Sequence, residues 1–153
     1  MARYHATVAS RRSAQDTFDY LATFSNAAHW DPGVLAGEQL DAGPVHQGTR
    51  FRLVVPFLGR RLALTYEVTR IQPHREVVLE AASSLLRATD RITVAADGDG
   101  DGANVSYDAE VTLRGPLSLL DPVLRRGFEG VGDRATAGLA QALATVPARP
   151  ETP

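Results

Sequence analysis

The feature that most restricts this chain is a strict two-residue alternation in its last third. Over 103–114, Val105, Tyr107, Ala109, Val111 and Leu113 fall on one side, and Asn104, Ser106, Asp108, Glu110, Thr112 and Arg114 on the other. A strand with one apolar and one wet face belongs to an antiparallel sheet covered on one side only. The same period recurs upstream. Strands are expected near 3–9, 34–41, 49–55, 60–71, 75–82 and 86–96, in addition to 103–114. Tyr4, Ala6 and Val8 share a face, as do Phe51, Leu53 and Val55, and Leu62, Leu64, Tyr66 and Val68. The breaks are Ala42-Gly43-Pro44, Pro56-Phe57-Leu58-Gly59, Gln72-Pro73-His74, Ser83-Ser84 and the run Asp97 to Gly102, all rich in residues that turns select.

An apolar sheet face needs a cover. Asp121-Pro122 reads as a helix cap followed by a first-turn proline. From there Leu124, Phe128, Val131, Ala135, Leu139, Ala142 and Val146 recur at spacings of three and four, one stripe of a long helix that Pro147 ends. The helix keeps Gly127, Gly130, Gly132 and Gly138, each costing about 1 kcal/mol against alanine in a helix interior. They either leave room beside the helix or let it pack closely. Between the first two strands, Ser13 with Asp16 resembles a capping box before Phe18, Leu21 and Ala22. Ser25 is placed to cap a second short helix through Ala27 and Ala28 to Trp30, stopped by Asp31-Pro32-Gly33. The expected organisation is one domain over 1–146 and a disordered tail over 147–153.

Composition narrows the chemistry. Cysteine is absent and all 16 cationic side chains are arginine. Disulfides, thiolate nucleophiles, lysine Schiff bases and a P-loop lysine are therefore excluded. The formal net charge is -2, so the basic excess of a nucleic-acid binder is missing. The pairs Arg11–Arg12, Arg60–Arg61 and Arg125–Arg126 read as solvated surface. No apolar run reaches the ~18 residues of a membrane span. Ser10-Arg11-Arg12 is followed by Ser13-Ala14-Gln15-Asp16 and not by the apolar stretch of an export signal, and a cytoplasmic location is expected.

Local motifs add little catalytic apparatus. Asp97-Gly98-Asp99-Gly100-Asp101-Gly102 matches the opening of a calcium loop, but Asn104 and Asp108 stand where an apolar residue and a glutamate belong, and strands flank the run. It reads as a hairpin turn. His5, His29, His46 and His74 have no metal-ligand spacing. There is no Gly-x-Ser-x-Gly and no Gly-x-Gly-x-x-Gly. No metal and no cofactor is expected.

The polar residues of the inward face say more. Leu86, Ala88, Asp90, Ile92 and Val94 alternate together, which aims the Asp90 carboxyl at the concave side. A desolvated carboxyl has a raised pKa and suits general acid or base work. Tyr66 and Tyr107 alternate inward in the same way, and Arg70 follows at the end of its strand. These side chains are catalytic candidates. They are also candidates for structure alone, with Asp90 paired to Arg70 or Arg87 and the tyrosines packed in the core. Turn parity is a further signal. The turns at 56–59 and 83–85 and the exit at 115–120 fall at one end of a meander and carry Phe57, Leu58, Leu85, Leu117, Leu119 and Leu120, while those at 42–48, 72–74 and 97–102 fall at the other and are mostly polar. An apolar rim marks a portal for a hydrophobic ligand, packing on the last helix, or a homodimer contact.

The order strand, two short helices, six meandering strands and a long helix resembles the START-like, or helix-grip, superfamily. In detail the chain is similar to the bacterial polyketide cyclase/dehydrase and lipid-transport branch. The resemblance lies in Ser13 to Phe24 (SAQDTFDYLATF), Asn26 to Val34 (NAAHWDPGV), Gly48-Thr49-Arg50-Phe51 and the helix after Gly115-Pro116-Leu117. It implies an α+β fold in which a seven-stranded antiparallel sheet curls round the C-terminal helix, with a cavity between them. The inward residues Phe51, Leu53, Leu64, Tyr66, Leu79, Asp90, Ile92 and Tyr107, with Phe128 and Trp30, are then the candidate ligand contacts. Trp30 either lines the cavity or plugs its wall. Phe57, Leu58, Leu85, Leu117 and Leu120 are the candidate portal. Three functions follow: binding of a hydrophobic small molecule such as a lipid or polyketide-like compound, an aromatase, cyclase or dehydratase using Asp90 with Tyr66 or Tyr107, and an accessory interaction protein. A purely apolar open cavity favours the first, an open cavity holding Asp90 the second, and a filled cavity the third.

Overall fold

The computed structural model describes residues 1–98 and 102–144. Strand β1 (Ala2–Ser10) leads into helix α1 (Ala14–Ala22), a 3-10 turn at Phe24–Asn26 and the single-turn helix α2 (Ala27–Trp30). Six strands follow: β2 (Ala36–Gln39), β3 (Arg50–Phe57), β4 (Arg60–Gln72), β5 (Glu76–Ala82), β6 (Leu86–Ala96) and β7 (Ala103–Leu113). A second 3-10 segment, Gly115–Leu120, hands the chain to helix α3 (Asp121–Leu143). The seven strands form one antiparallel sheet in the order β1-β7-β6-β5-β4-β3-β2. This is the helix-grip architecture expected from the sequence.

Side-chain capping explains the start of α1 but not of α2 or α3. Ser13 caps α1, its hydroxyl accepting a hydrogen bond from the Asp16 amide at 3.1 Å. Ser25 does not cap α2. It lies inside the 3-10 turn, and α2 has no side-chain cap. Asp121 is likewise no cap but the first residue of α3, with Leu120 at the cap position. Its carboxylate accepts from the N-terminal ammonium of Met1 instead, joining the start of the chain to the start of the last helix. The β3–β4 connection is also tighter than expected. Pro56 and Phe57 remain in the ladder opposite Arg61 and Arg60, which leaves Leu58-Gly59 as a two-residue turn. The β6–β7 ladder runs to Ala96 and Ala103 and is closed by the Asp97 amide on the Gly102 carbonyl at 3.0 Å. The middle of that Asp/Gly run and the tail expected at 147–153 lie outside the described residues.

One register shift redirects a candidate residue. A bulge in β4 sets Val68 opposite Leu79 but Arg70 opposite Val78. The extra residue, Thr69, breaks the alternation, so Arg70 points to solvent and Ile71 takes the inward place. Arg70 is therefore not part of the concave face.

The interior of the grip has two halves. Under α1, Phe18 and Leu21 close on the sheet among Phe51, Val68, Val77, Leu79, Ile92 and Val105, all almost fully buried. Helix α3 packs mainly along β1 and touches α2. Two of its four glycines set that approach. A Cβ on Gly138 would stand 1.9 Å from the Trp30 carbonyl oxygen, and one on Gly132 would stand 2.3 Å from the Tyr4 ring. Gly127, with nothing within 4 Å, has no such constraint. Held at the β1 edge and on α2, the N-terminal half of α3 leaves the middle strands uncovered on the inner side, and a hollow remains.

Candidate ligand cavity and its buried carboxyl

The hollow is a cavity of about 440 Å³, within the size range of small-molecule sites. Its floor is the inner face of β3, β4, β6 and β7, including Leu53, Leu64, Ala88, Ala109 and Val111. Leu124, Phe128, Val131 and Ala135 of α3 form its roof. Trp30 and the following Asp31-Pro32-Gly33-Val34 close one side. Pro32, Pro56, Val131 and Arg134 line the cavity and are also exposed, so they mark its mouth between the 31–34 loop, the base of the β3–β4 hairpin and the middle of α3.

The polar groups sit deep within apolar walls. Asp90 is only 7% exposed and lines the cavity. No arginine pairs with it among the described residues. The Tyr107 hydroxyl donates to its Oδ2, and no hydrogen bond to its Oδ1 is found among the described residues. Burial pushes the carboxyl up to about 7. The Tyr107 bond pulls it down, and the charge of Asp31 pushes it up again. Tyr107 stacks edge-on against Trp30, ring centroids 5.7 Å apart. Its phenol lies well above the usual range because it is buried and faces the Asp90 charge. Tyr66, packed edge-on against Phe24 at 5.1 Å, is raised by the same two causes. Its hydroxyl has no hydrogen-bond partner among the described residues. The cavity thus presents an unpaired phenol, a free carboxyl oxygen and a phenol–carboxyl pair to whatever enters.

Of the candidate contacts, Trp30, Leu53, Leu64, Tyr66, Asp90, Tyr107 and Phe128 line the cavity. Phe51, Leu79 and Ile92 do not. They belong to the packed core, where their relative exposure is 0% and Phe51 meets Phe24 of the 3-10 turn edge-on. Alternation tells which face a residue takes, not which half of the interior. Of the portal candidates, Phe57 lines the wall, whereas Leu58, Leu85, Leu117 and Leu120 lie beyond it. Leu117 packs against the core, and the other three are solvent-exposed.

Four polar lining residues, Asp31, Arg134, Tyr4 and Thr136, were not anticipated as contacts. Asp31 reads in sequence only as a helix stop. Its carboxylate accepts from the Gly33 amide at 2.8 Å, and its pKa is raised by burial, against the lowering effects of that bond and of Arg134. Arg134 lies three residues after Val131 on the edge of the apolar stripe, a spacing that could have revealed it. Tyr4 donates to Asp133 at 2.9 Å and shares a 3.0 Å hydrogen bond with Thr136, so its ring closes the β1 side of the cavity. Among the described residues no group of three or more His, Asp or Glu side chains is placed to hold a metal ion.

A START-like helix-grip domain with an internal cavity is the class this fold and site define. The chain belongs to the family described as polyketide cyclase / dehydrase and lipid transport, whose model matches residues 1–144. Its fold is similar to that of a START superfamily protein from Mycobacterium smegmatis, with 15% identity over 94% of this chain and 97% of that one, at a TM-score of 0.73. It is also similar to the Zhui aromatase/cyclase from Streptomyces sp. R1128, with 17% identity over 92% and 90% of the two chains, at a TM-score of 0.70. A plant relative in fold, major latex-like protein 151 from Panax ginseng, shares 11% identity over 93% and 97%, at a TM-score of 0.59. At these identities the likeness is one of fold. No curated protein matches the sequence. None of the described helices is long and apolar enough to cross a membrane.

Proposed function

We propose that the cavity binds a hydrophobic small molecule carrying at least one oxygen, a lipid or polyketide-like compound, with the oxygen placed against Asp90, Tyr66 and Tyr107. The observation that carries this is the Tyr66 hydroxyl, which lies on the wall of the open cavity with no hydrogen-bond partner among the described residues. A phenol set in apolar walls is a ready hydrogen-bond partner for a carbonyl or hydroxyl of a bound molecule. The apolar walls supply affinity, and the three polar groups fix which end of the molecule goes in first. Native mass spectrometry of the protein purified from its own host tests this. A small-molecule adduct, lost when Leu64→Glu introduces a charge into the floor, is expected. Absence of any adduct, together with no uptake of hydrophobic fluorescent probes, would overturn it.

A second reading is cyclisation or dehydration of such a compound, favoured by a different observation: the cavity is open and holds Asp90, whose carboxyl is poised at about 7. In its ionised form Asp90 can take a proton from a carbon beside a ketone. In its protonated form it can give one to a departing hydroxyl. Tyr66 or Tyr107 would hydrogen-bond the carbonyl oxygen as charge develops there. In this reading Asp90→Asn lowers turnover about 10²–10⁴-fold with the fold intact, and full activity in that variant would remove Asp90 from the chemistry.

A further inference from the structure

The end of the sheet at which α3 begins carries a surface that neither reading uses. The β3–β4 turn is Leu58-Gly59, with φ of 50° and 75°, the twist of a hairpin turn that ordinarily selects Asn-Gly or Gly-Gly. Leucine is disfavoured there by its backbone. It is also 63% exposed, so solvent disfavours it as well. Two independent local preferences are overridden at one position. The same is true in part of the neighbouring tips: Leu119 is 82% exposed and Val123 68%, with Leu85 and Leu120 at 36% and 38%.

Charge surrounds these tips in one sign. The segments 57–61, 83–87 and 114–126 contain six arginines, Arg60, Arg61, Arg87, Arg114, Arg125 and Arg126, all exposed, and one acid. That acid, Asp121, is already engaged by the N-terminal ammonium and Arg125. Arg60, Arg61, Arg87 and Arg126 have no ion-pair partner among the described residues. The chain as a whole is at -2, so this end is basic against the trend. Six arginines around one engaged acid draw this end toward a negative surface.

We infer that this end docks on an anionic phospholipid surface, with Leu58 and Leu119 inserted among the acyl chains and the arginines on the headgroup phosphates. Exposed aliphatic tips ringed by arginine suit a surface that is apolar a few ångströms in and negative at its edge. A second copy of this chain fits less well, because a two-fold contact through this face sets six arginines against six. Phe57, next to Leu58, lines the cavity, so docking would bring the lipid surface within one residue of the cavity wall. The inference goes beyond the cavity reading, and its test reads the surface alone.

Flotation with phosphatidylcholine vesicles, with and without phosphatidylglycerol, tests it. Binding is expected to vesicles containing phosphatidylglycerol, weakening as ionic strength rises. Leu58→Asn, which suits the turn and should melt no lower than the parent, and Leu119→Ser are each expected to weaken binding about tenfold. Arg60→Gln with Arg61→Gln should do so by about tenfold or more at low salt. No binding to phosphatidylglycerol vesicles overturns the inference, and so does binding that none of these variants alters. A dimer in sedimentation that Leu58→Asn or Leu119→Ser dissociates would also overturn it, by assigning the face to self-association.

Discussion

Replacing Asp90 by asparagine should stabilise this protein, and only above a particular pH. The folded-state pKa is pushed up to about 7 from an ordinary 3.8, first by burial. Between those values the folded protein binds a proton that the unfolded chain has released, so stability falls as pH rises from about 4 to about 7 and levels off above it. Each pKa unit is worth about 1.36 kcal/mol, and the roughly three-unit gap puts the cost of an ionised Asp90 at about 4 kcal/mol at pH 8. Asparagine has the same shape, accepts the same hydrogen bond from Tyr107, and never ionises. Urea unfolding at a series of pH values is the assay. Variant and parent should be equal near pH 4 and diverge progressively, until at pH 8 the variant is more stable by several kcal/mol, or on the order of 10 °C in Tm for a domain of this size. Parallel pH profiles, or a variant less stable at pH 8, would refute the reasoning and make Asp90 a structural residue. A carboxyl that costs stability where it stands is one retained for another reason.

Two further outcomes follow from the geometry. Gly138→Ala should destabilise by about 1–3 kcal/mol or more by forcing α3 off the Trp30 carbonyl, while Gly127→Ala, with open space around it, should stabilise by up to about 1 kcal/mol, both read by urea unfolding. For uptake of a hydrophobic fluorescent probe, Phe57→Ser should weaken binding by about tenfold because the ring lines the cavity, whereas Leu85→Ser, beyond the wall, should leave it unchanged. Equal effects at both positions would move the mouth to the strand tips.

Periodicity in the chain already carried the sheet, the inward aim of Asp90, Tyr66 and Tyr107, and the stripe of the last helix, because alternation and helical spacing are local and a buried face enforces them along a whole element. The same signal failed at Arg70, where one inserted residue in β4 reversed the alternation without leaving a Gly or Pro to announce it. It also could not separate Ile92, packed under α1, from Asp90 two residues earlier on the cavity wall, since both face inward. That division depends on where α3 rests. The helix is held by Tyr4 against Gly132 and by the Trp30 carbonyl against Gly138, contacts between segments more than a hundred residues apart, and the hollow is what its position leaves uncovered. The raised pKa of Asp90 belongs to the same level. Sequence supplied a carboxyl on the inner face, but its hydrogen-bond partner Tyr107 and its neighbour Asp31 came together only when the strands and the 31–34 loop closed around one space. Desolvation depends on the whole enclosure, and no stretch of sequence contains it.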